Sequence, residues 1–303
     1  MRPLIIGWLI IILAGGILLN ACRKDNQDPA SPTGVRLSHA ENYIDGAMRY
    51  TMTCTYTGSL LSRVAYSLPP AGEFALLTPA YTGDRILSVR DQGFGGNGSI
   101  VYDLLFEVNG YSGEHPSEII IRSIDTAGVQ SNEVKDVYTY EGIWLKAFEE
   151  FDFTGSMWNS RQRITYAYDG GGNILTITDT SGYNGKRIST YSYAGGRMTE
   201  CLVSDYVPGN LYPDRKTLYE YSGDHLAKAT SYLWNGSDWV YDGDTRYDYD
   251  ADGNLAGTQT TELGPFVMES MVYAYEKGAG NYRQLLKAIR TLMLPGDPTP
   301  YPR

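Results

Sequence analysis

The sequence predicts an all-β protein: a long antiparallel β-meander of hairpin repeats, curled or closed into a soluble barrel-like sheet, with a short C-terminal helix. Three observations carry this. Tyrosine is in large excess, 26 residues against 7 Phe in a chain of 303. An aromatic–x–aromatic pair recurs along most of the chain, as at Tyr166/Tyr168 and Tyr219/Tyr221. A Gly-containing turn and an aliphatic residue follow each pair, which is the pattern of strand, hairpin and returning strand.

The first segment is not part of that fold. Arg2 precedes an apolar run from Leu4 to Leu19, and Leu19-Asn20-Ala21-Cys22 follows. A basic start, an apolar stretch and a small residue at the end make a secretory leader. The run is shorter than the roughly 20 residues a spanning helix needs. Ala21 followed at once by Cys22 resembles the bacterial lipobox. The resemblance implies cleavage before Cys22 and acylation of its thiol. Residues 1–21 are therefore the expected signal peptide. Residues 22–36, with Pro29-Ala-Ser-Pro32-Thr-Gly34, are the expected lipidated tether. No Asp follows Cys22 directly, so the expected location is the outer membrane, on its periplasmic or cell-surface face.

The net charge is −10, or −11 once Arg2 leaves with the leader, because the first 21 residues hold no acid. An acidic surface argues against nucleic acid, whose phosphates need Lys and Arg. Membrane contact is expected through the N-terminal lipid only. Cys54 and Cys201 are the other two cysteines. Their separation leaves a disulfide open, with small buried thiols as the simpler reading.

Residues 37–280 carry the repeats. Full pairs stand at Tyr138/Tyr140, Tyr166/Tyr168, Tyr191/Tyr193, Tyr219/Tyr221, Tyr247/Tyr249 and Tyr273/Tyr275, with weaker copies at Cys54/Tyr56, Pro79/Tyr81 and Leu104/Phe106. The second member advances by 25, 25, 34, 28, 25, 28, 28 and 26 residues, so only the third interval departs much. Nine repeats of two strands imply about 16 to 18 strands, too many for an open twisted sheet. Residues i and i+2 of a strand share a face, which predicts cross-strand ladders of tyrosines. On the opposite face Thr165, Ala167 and Asp169, or Arg246, Asp248 and Asp250, cannot meet lipid. Three large side chains (Trp158, Tyr183 and Trp239) lie ten residues before the second tyrosine of their repeats.

The motif Tyr-x-Tyr-Asp-x-x-Gly-Asn-aliphatic, at Tyr166–Ile174 and Tyr247–Leu255, resembles the YD repeat of RHS and teneurin-type shells. The shorter turns, such as Ser222-Gly-Asp-His-Leu226, resemble a family of Gram-negative lipoproteins of unknown function described as porin-like barrels. The resemblance implies a scaffold and brings no catalytic residues.

Asn281 to Leu294 places apolar residues at 285, 286, 289, 292 and 293, which is helical spacing, and Pro295-Gly296 ends it. Residues 295–303 form a Pro-rich tail.

Chemistry is sparse. His39, His115 and His225 stand apart, and no nucleophile elbow or paired Cys motif occurs. Asp248-x-Asp250-x-Asp252-Gly253 matches the start of a Ca²⁺ loop, although Gln259 stands where the bidentate Glu belongs. The same letters fit an Asp-rich hairpin turn. Trp234 and Trp239, flanking an Asn-Gly turn, are candidate sugar-stacking rings. The expected function is a non-catalytic binding or structural and adhesion role in the cell envelope, with glycan or an envelope protein as partner. The rival is a glycan-processing enzyme, whose carboxylate pair carries no local signature.

Overall fold

The computed structural model describes residues 35–113, 115–180, 186–262 and 267–277. They form eighteen strands in one antiparallel sheet: β1 Val35–Ile44, β2 Ala47–Thr57, β3 Leu60–Leu68, β4 Gly72–Thr82, β5 Arg85–Phe94 and β6 Ile100–Ser112. Then follow β7 His115–Ile124, β8 Gln130–Glu141, β9 Trp144–Phe153, β10 Trp158–Tyr168, β11 Ile174–Asp179 and β12 Lys186–Ala194. The last six are β13 Arg197–Val207, β14 Asn210–Ser222, β15 His225–Trp234, β16 Trp239–Tyr249, β17 Leu255–Glu262 and β18 Val267–Lys277. Each strand pairs with the next, and β18 pairs with β1, so the meander closes into a barrel. Closure leaves no unpaired edge. The sheet starts at Val35, two residues inside the expected tether. Cys22, the leader, the helix expected at 281–294 and the tail lie outside the described residues.

Alternation sets the two faces. Met52, Tyr138, Phe148, Tyr166 and Tyr219 are buried, while Thr53, Thr139, Thr165 and Ala167 between them are more open. A single closed sheet can crowd side chains only on its concave side, so the tyrosine face is the inner one. The outer wall carries cross-strand ion pairs instead, among them Arg122–Glu107 at 2.7 Å, Lys228–Asp244 at 3.5 Å and Arg163–Glu149 at 3.8 Å.

The second tyrosine of each repeat has one structural task. Its hydroxyl donates to the backbone carbonyl near the start of the preceding hairpin's returning strand. The nine bonds run Tyr56 to Leu37, Tyr81 to Leu61, Tyr111 to Ile86, Tyr140 to Pro116 and Tyr168 to Leu145. They continue Tyr193 to Ile174, Tyr221 to Met198, Tyr249 to Leu226 and Tyr275 to Leu255, completing the circle. The register skips the residue after each accepting one, for instance Ser62, Thr199 and Ala227. Nine such bulges recur, eight in the hairpins of this rim and one at the β18–β1 seam. A bulge disrupts the ladder locally and adds the twist a curled sheet needs, and the tyrosine hydroxyl lands on the carbonyl beside it.

This ring corrects the third repeat. Phe106 is an inner residue farther down β6, 7% exposed. Tyr111 is the true member, and the spacings become 25, 30, 29, 28, 25, 28, 28 and 26. The 34-residue interval belongs to Phe106, not to the member of the ring.

The repeat tyrosines share the inner clusters, Tyr138, Tyr140, Tyr166 and Tyr168 in one and Tyr191, Tyr193, Tyr219, Tyr221 and Tyr247 in the other. Six of the second-position rings also lie against a side chain just before the accepting residue: Arg36 on Tyr56, Arg85 on Tyr111, His115 on Tyr140, Trp144 on Tyr168, Arg197 on Tyr221 and His225 on Tyr249. Arg36 and Arg85 also donate to the next turn's glycine carbonyl, Gly58 at 3.0 Å and Gly113 at 3.1 Å. Gly172 is required by the same contact, because a Cβ there would stand 1.8 Å from the Trp144 ring and its φ is +81°.

The barrel therefore has two unlike rims. The tyrosine rim has turns rich in Gly and Asp. Both ends of the sheet lie there, with Val35 opposite Lys277. The opposite rim is made by the connections β1–β2, β3–β4 and so on around to β17–β18.

Candidate functional site

The residues singled out in the sequence fall into separate places. Trp234 and Trp239 face each other across the β15–β16 turn, ring centroids 5.2 Å apart at 62°. Beneath them Tyr232 and Tyr241 pair at 6.2 Å, and the Tyr241 hydroxyl donates to Asp244 at 2.8 Å. Alternation puts these four rings on the outer wall. Lys216 lies 4.8 Å over the Trp239 ring and 5.3 Å over Tyr232.

Asp248 sits between Tyr247 and Tyr249 and so points outward. Asp250 accepts from the backbone N–H of Asp252 at 3.0 Å and of Asn254 at 2.8 Å, and from the Asn254 side chain. Burial alone would raise its carboxyl, but the hydrogen bonds from Asn254, Asp252 and Gly253 together outweigh it and hold the carboxyl below the usual range. Asp169 makes the same set with Gly171 and Asn173 in the sister turn. Both are turn-forming aspartates. Among the described residues no group of three or more His, Cys, Asp or Glu is arranged to hold a metal ion. Asp248, Asp250 and Asp252 are thus not brought together as a calcium cradle.

Cys54 on β2 and Cys201 on β13 are not joined in a disulfide and pack against inner clusters at different places in the wall. His115 and His225 are stacking members of the tyrosine rim. His39 contacts Glu41 at 3.4 Å.

Sequence reasoning missed a band of acids on the inner face. Asp136 on β8 and Glu150 on β9 stand directly opposite each other in the register, 2% and 7% exposed. Two like charges so placed repel. Burial, with the facing carboxylate, raises the Asp136 pKa well above the ordinary range. Burial raises Glu150 too, opposed by Arg161, whose Nε is 3.2 Å away. Arg161 also reaches Asp152 at 3.4 Å. The Tyr138 and Phe148 rings, 5.3 Å apart, lie one step nearer the tyrosine rim.

Asp91 on β5 belongs to the same face. It is 1% exposed, and burial pushes its carboxyl up to about 7 despite the Tyr102 hydroxyl donating at 3.2 Å. Gly93 makes this contact feasible, since a Cβ there would stand 2.0 Å from the Tyr102 ring. One signal was available in the sequence. Asp136 lies two residues before Tyr138, so extending the alternation one step puts it inside.

No family model matches the chain, and no curated protein does. Solved structures with some likeness include a porin-like protein from Bacteroides uniformis, 11% identical over 82% of this chain and 99% of that one, TM-score 0.41. A porin-like protein from Bacteroides vulgatus is 10% identical over 79% and 98%, TM-score 0.36. The TcdB2-TccC3 structure is 11% identical over 75% of this chain, TM-score 0.34, and this chain spans 15% of its length. At this level of similarity, function has to be read from the chain's own residues.

Proposed function

We propose that this chain is an exported envelope lipoprotein, acylated at Cys22, whose barrel is a non-catalytic scaffold with a binding or adhesion role. The observation that supports it best is the ring of nine tyrosine-to-carbonyl bonds. The second tyrosines of the repeats, with His115 and His225 stacked on two of them, are engaged in joining one hairpin to the next. The charged outer wall lacks the apolar lipid-facing row of a spanning barrel, so the lipid, not the strands, would hold the protein at the membrane. The location this implies is the outer membrane.

Binding then falls to surfaces outside the tyrosine core. Trp234 and Trp239 are the strongest candidates for a glycan, because a half-buried aromatic pair can stack on a sugar ring. The test is retention of the full-length protein on immobilised envelope glycans. Retention lost in Trp234→Ala and Trp239→Ala would support a glycan site there; retention unchanged in both would remove it.

A second reading rests on Asp136 and Glu150. Facing carboxylates beside an aromatic pair are the furniture of glycoside hydrolysis. Their burial weighs against it, because a scissile bond has to fit between the two groups. Burial, which favours the protonated form of Asp136, and the ion pair of Glu150 with Arg161 are the simpler account of the two groups.

A further inference from the structure

A strip of the inner face running from β18 to β6 gathers polar groups inside the larger apolar cluster. Asn42 on β1 is buried opposite Tyr50 of β2. Its Nδ2 donates to Glu269 of β18 at 2.6 Å and to the Met271 sulfur at 3.2 Å. The rings of Tyr50, Tyr66 and Phe74 come next, each pair of centroids 6.2 Å apart. Beyond them Ala75 and Gly93 separate Tyr66 from Tyr102 in the register. These small residues leave the inner space to the rings, and the Tyr102 hydroxyl donates to Asp91 at 3.2 Å.

Buried polar atoms are nearly always hydrogen-bonded. Among the described residues seven side-chain atoms are not, and four of the seven stand in this strip: Asn42 Oδ1, Tyr50 Oη, Tyr66 Oη and Asp91 Oδ2. The four fall into two groups. Burial, and after it Glu269, raises the Tyr50 pKa, so this hydroxyl belongs with Asn42 and Glu269 at one end. Burial, then Cys54, Tyr50, Asp91 and Tyr102, raise that of Tyr66, which is 3% exposed and belongs with Asp91 at the other end. Each end therefore has a carboxylate, an unpaired acceptor oxygen and an unpaired tyrosine hydroxyl. Among the described residues neither carboxylate has an ion-pair partner; Arg63 and Arg90 of the same strands pair with Glu73 and Asp103 instead.

What fits such a strip has to bring donors and positive charge. An ammonium group carries three donors and no acceptor, and the faces of aromatic rings attract cations. An anion would meet two carboxylates. We propose that the strip binds a linear aliphatic polyamine: one terminal ammonium sits at Glu269, Asn42 and Tyr50, the other at Asp91 and Tyr66, and the methylenes lie along the rings between. Tyr50, Phe74 and Tyr102 are half-buried. They stand toward the rim opposite the second tyrosines, and a turn of these side chains admits the ligand. The inference names a ligand for the binding role proposed above and needs neither the lipid nor a glycan.

The test is calorimetric titration of the full-length protein, at fixed ionic strength, with butylamine, putrescine and spermidine, and with glucose as a neutral comparison. Putrescine and spermidine should bind more tightly than butylamine, since only they carry a second ammonium. Tyr66→Phe and Asp91→Asn should each weaken spermidine about tenfold. Without ligand, Tyr66→Phe should melt no lower than the unaltered protein, because its hydroxyl has no partner to lose. A residue needed only for packing would not separate binding from stability in this way.

Absence of heat with every amine would overturn the inference. So would spermidine binding that is unchanged in both variants, since the amine would then sit elsewhere on an acidic surface. Glucose binding lost in the same variants would give the strip to a polyol instead. A lower melting temperature in Tyr66→Phe would show that the hydroxyl already has its partner within the chain, which also overturns it. Each of these failures leaves the retention test on Trp234 and Trp239 to be decided separately.

Discussion

The hydroxyl of Tyr56 on β2 donates to the carbonyl of Leu37 on β1 at 2.8 Å. Leu37 in turn is paired with Tyr275 of β18. The two ends of the sheet thus complete a ninth unit that has no turn of its own. The same bond that joins every other pair of neighbours joins the seam.

Removing such a hydroxyl leaves a carbonyl beside a bulge without its partner. Tyr56→Phe, Tyr221→Phe and Tyr275→Phe should each lower stability by about 1–2 kcal/mol. In thermal unfolding this is roughly 2–4 °C per kcal/mol for a chain of this size. Tyr111→Phe should fall in the same range, which tests its place in the ring. No change in Tyr111→Phe would return the third repeat to Phe106.

Glycine is obligatory where a neighbour's ring fills the space of its Cβ. Gly93→Ala would meet the Tyr102 ring and Gly172→Ala the Trp144 ring. Each should cost about 1–3 kcal/mol in denaturant unfolding. Gly96→Ala, with open space around it, serves as the comparison and should be close to neutral.

The inner acids give a pH dependence with a definite sign. The Asp91 carboxyl is about 7 in the folded barrel and near 3.9 in the unfolded chain. A raised folded value means the native state holds its proton more tightly. Its contribution to stability is therefore complete below about pH 4 and is lost as the pH rises through 7. Asp136 acts in the same direction. Melting temperatures measured from pH 4 to 8 should fall with pH, and Asp91→Asn should flatten that slope. A slope unchanged in Asp91→Asn would show that Asp91 stays ionised.

Asp250 and Asp169 should behave as twins. Asp250→Ala and Asp169→Ala should each cost about 1 kcal/mol, the loss of a turn-organising side chain. Calcium added after chelator treatment should leave the melting temperature of the unaltered protein where it was. A calcium-dependent rise abolished in Asp250→Ala but kept in Asp169→Ala would restore the cation reading.

Much of this architecture is legible in the sequence because a strand has a period of two. Tyr166 and Tyr168 announce a common face, and the Gly and Asp turns announce the hairpins. The third repeat escapes because Asn109 and Gly110 stand before Tyr111, so the aromatic pair is absent and Phe106 offers itself instead. The facing of Asp136 and Glu150 escapes because register depends on where the bulge falls after Leu145. The roles of His115 and His225 escape because each stacks on a tyrosine of the next hairpin, about 25 residues away. The exposed apolar side chains beside the turns of the rim opposite the tyrosines are the least legible feature. Met157, Leu211 and Met268 are isolated until closure sets them at one end of the barrel.

The most direct test of a non-catalytic barrel is to incubate the full-length protein with a panel of envelope glycans and measure retention and product release together. Retention without product, unchanged in Asp136→Asn and Glu150→Gln, is the predicted result. Product released by the unaltered protein and lost in both variants would contradict it.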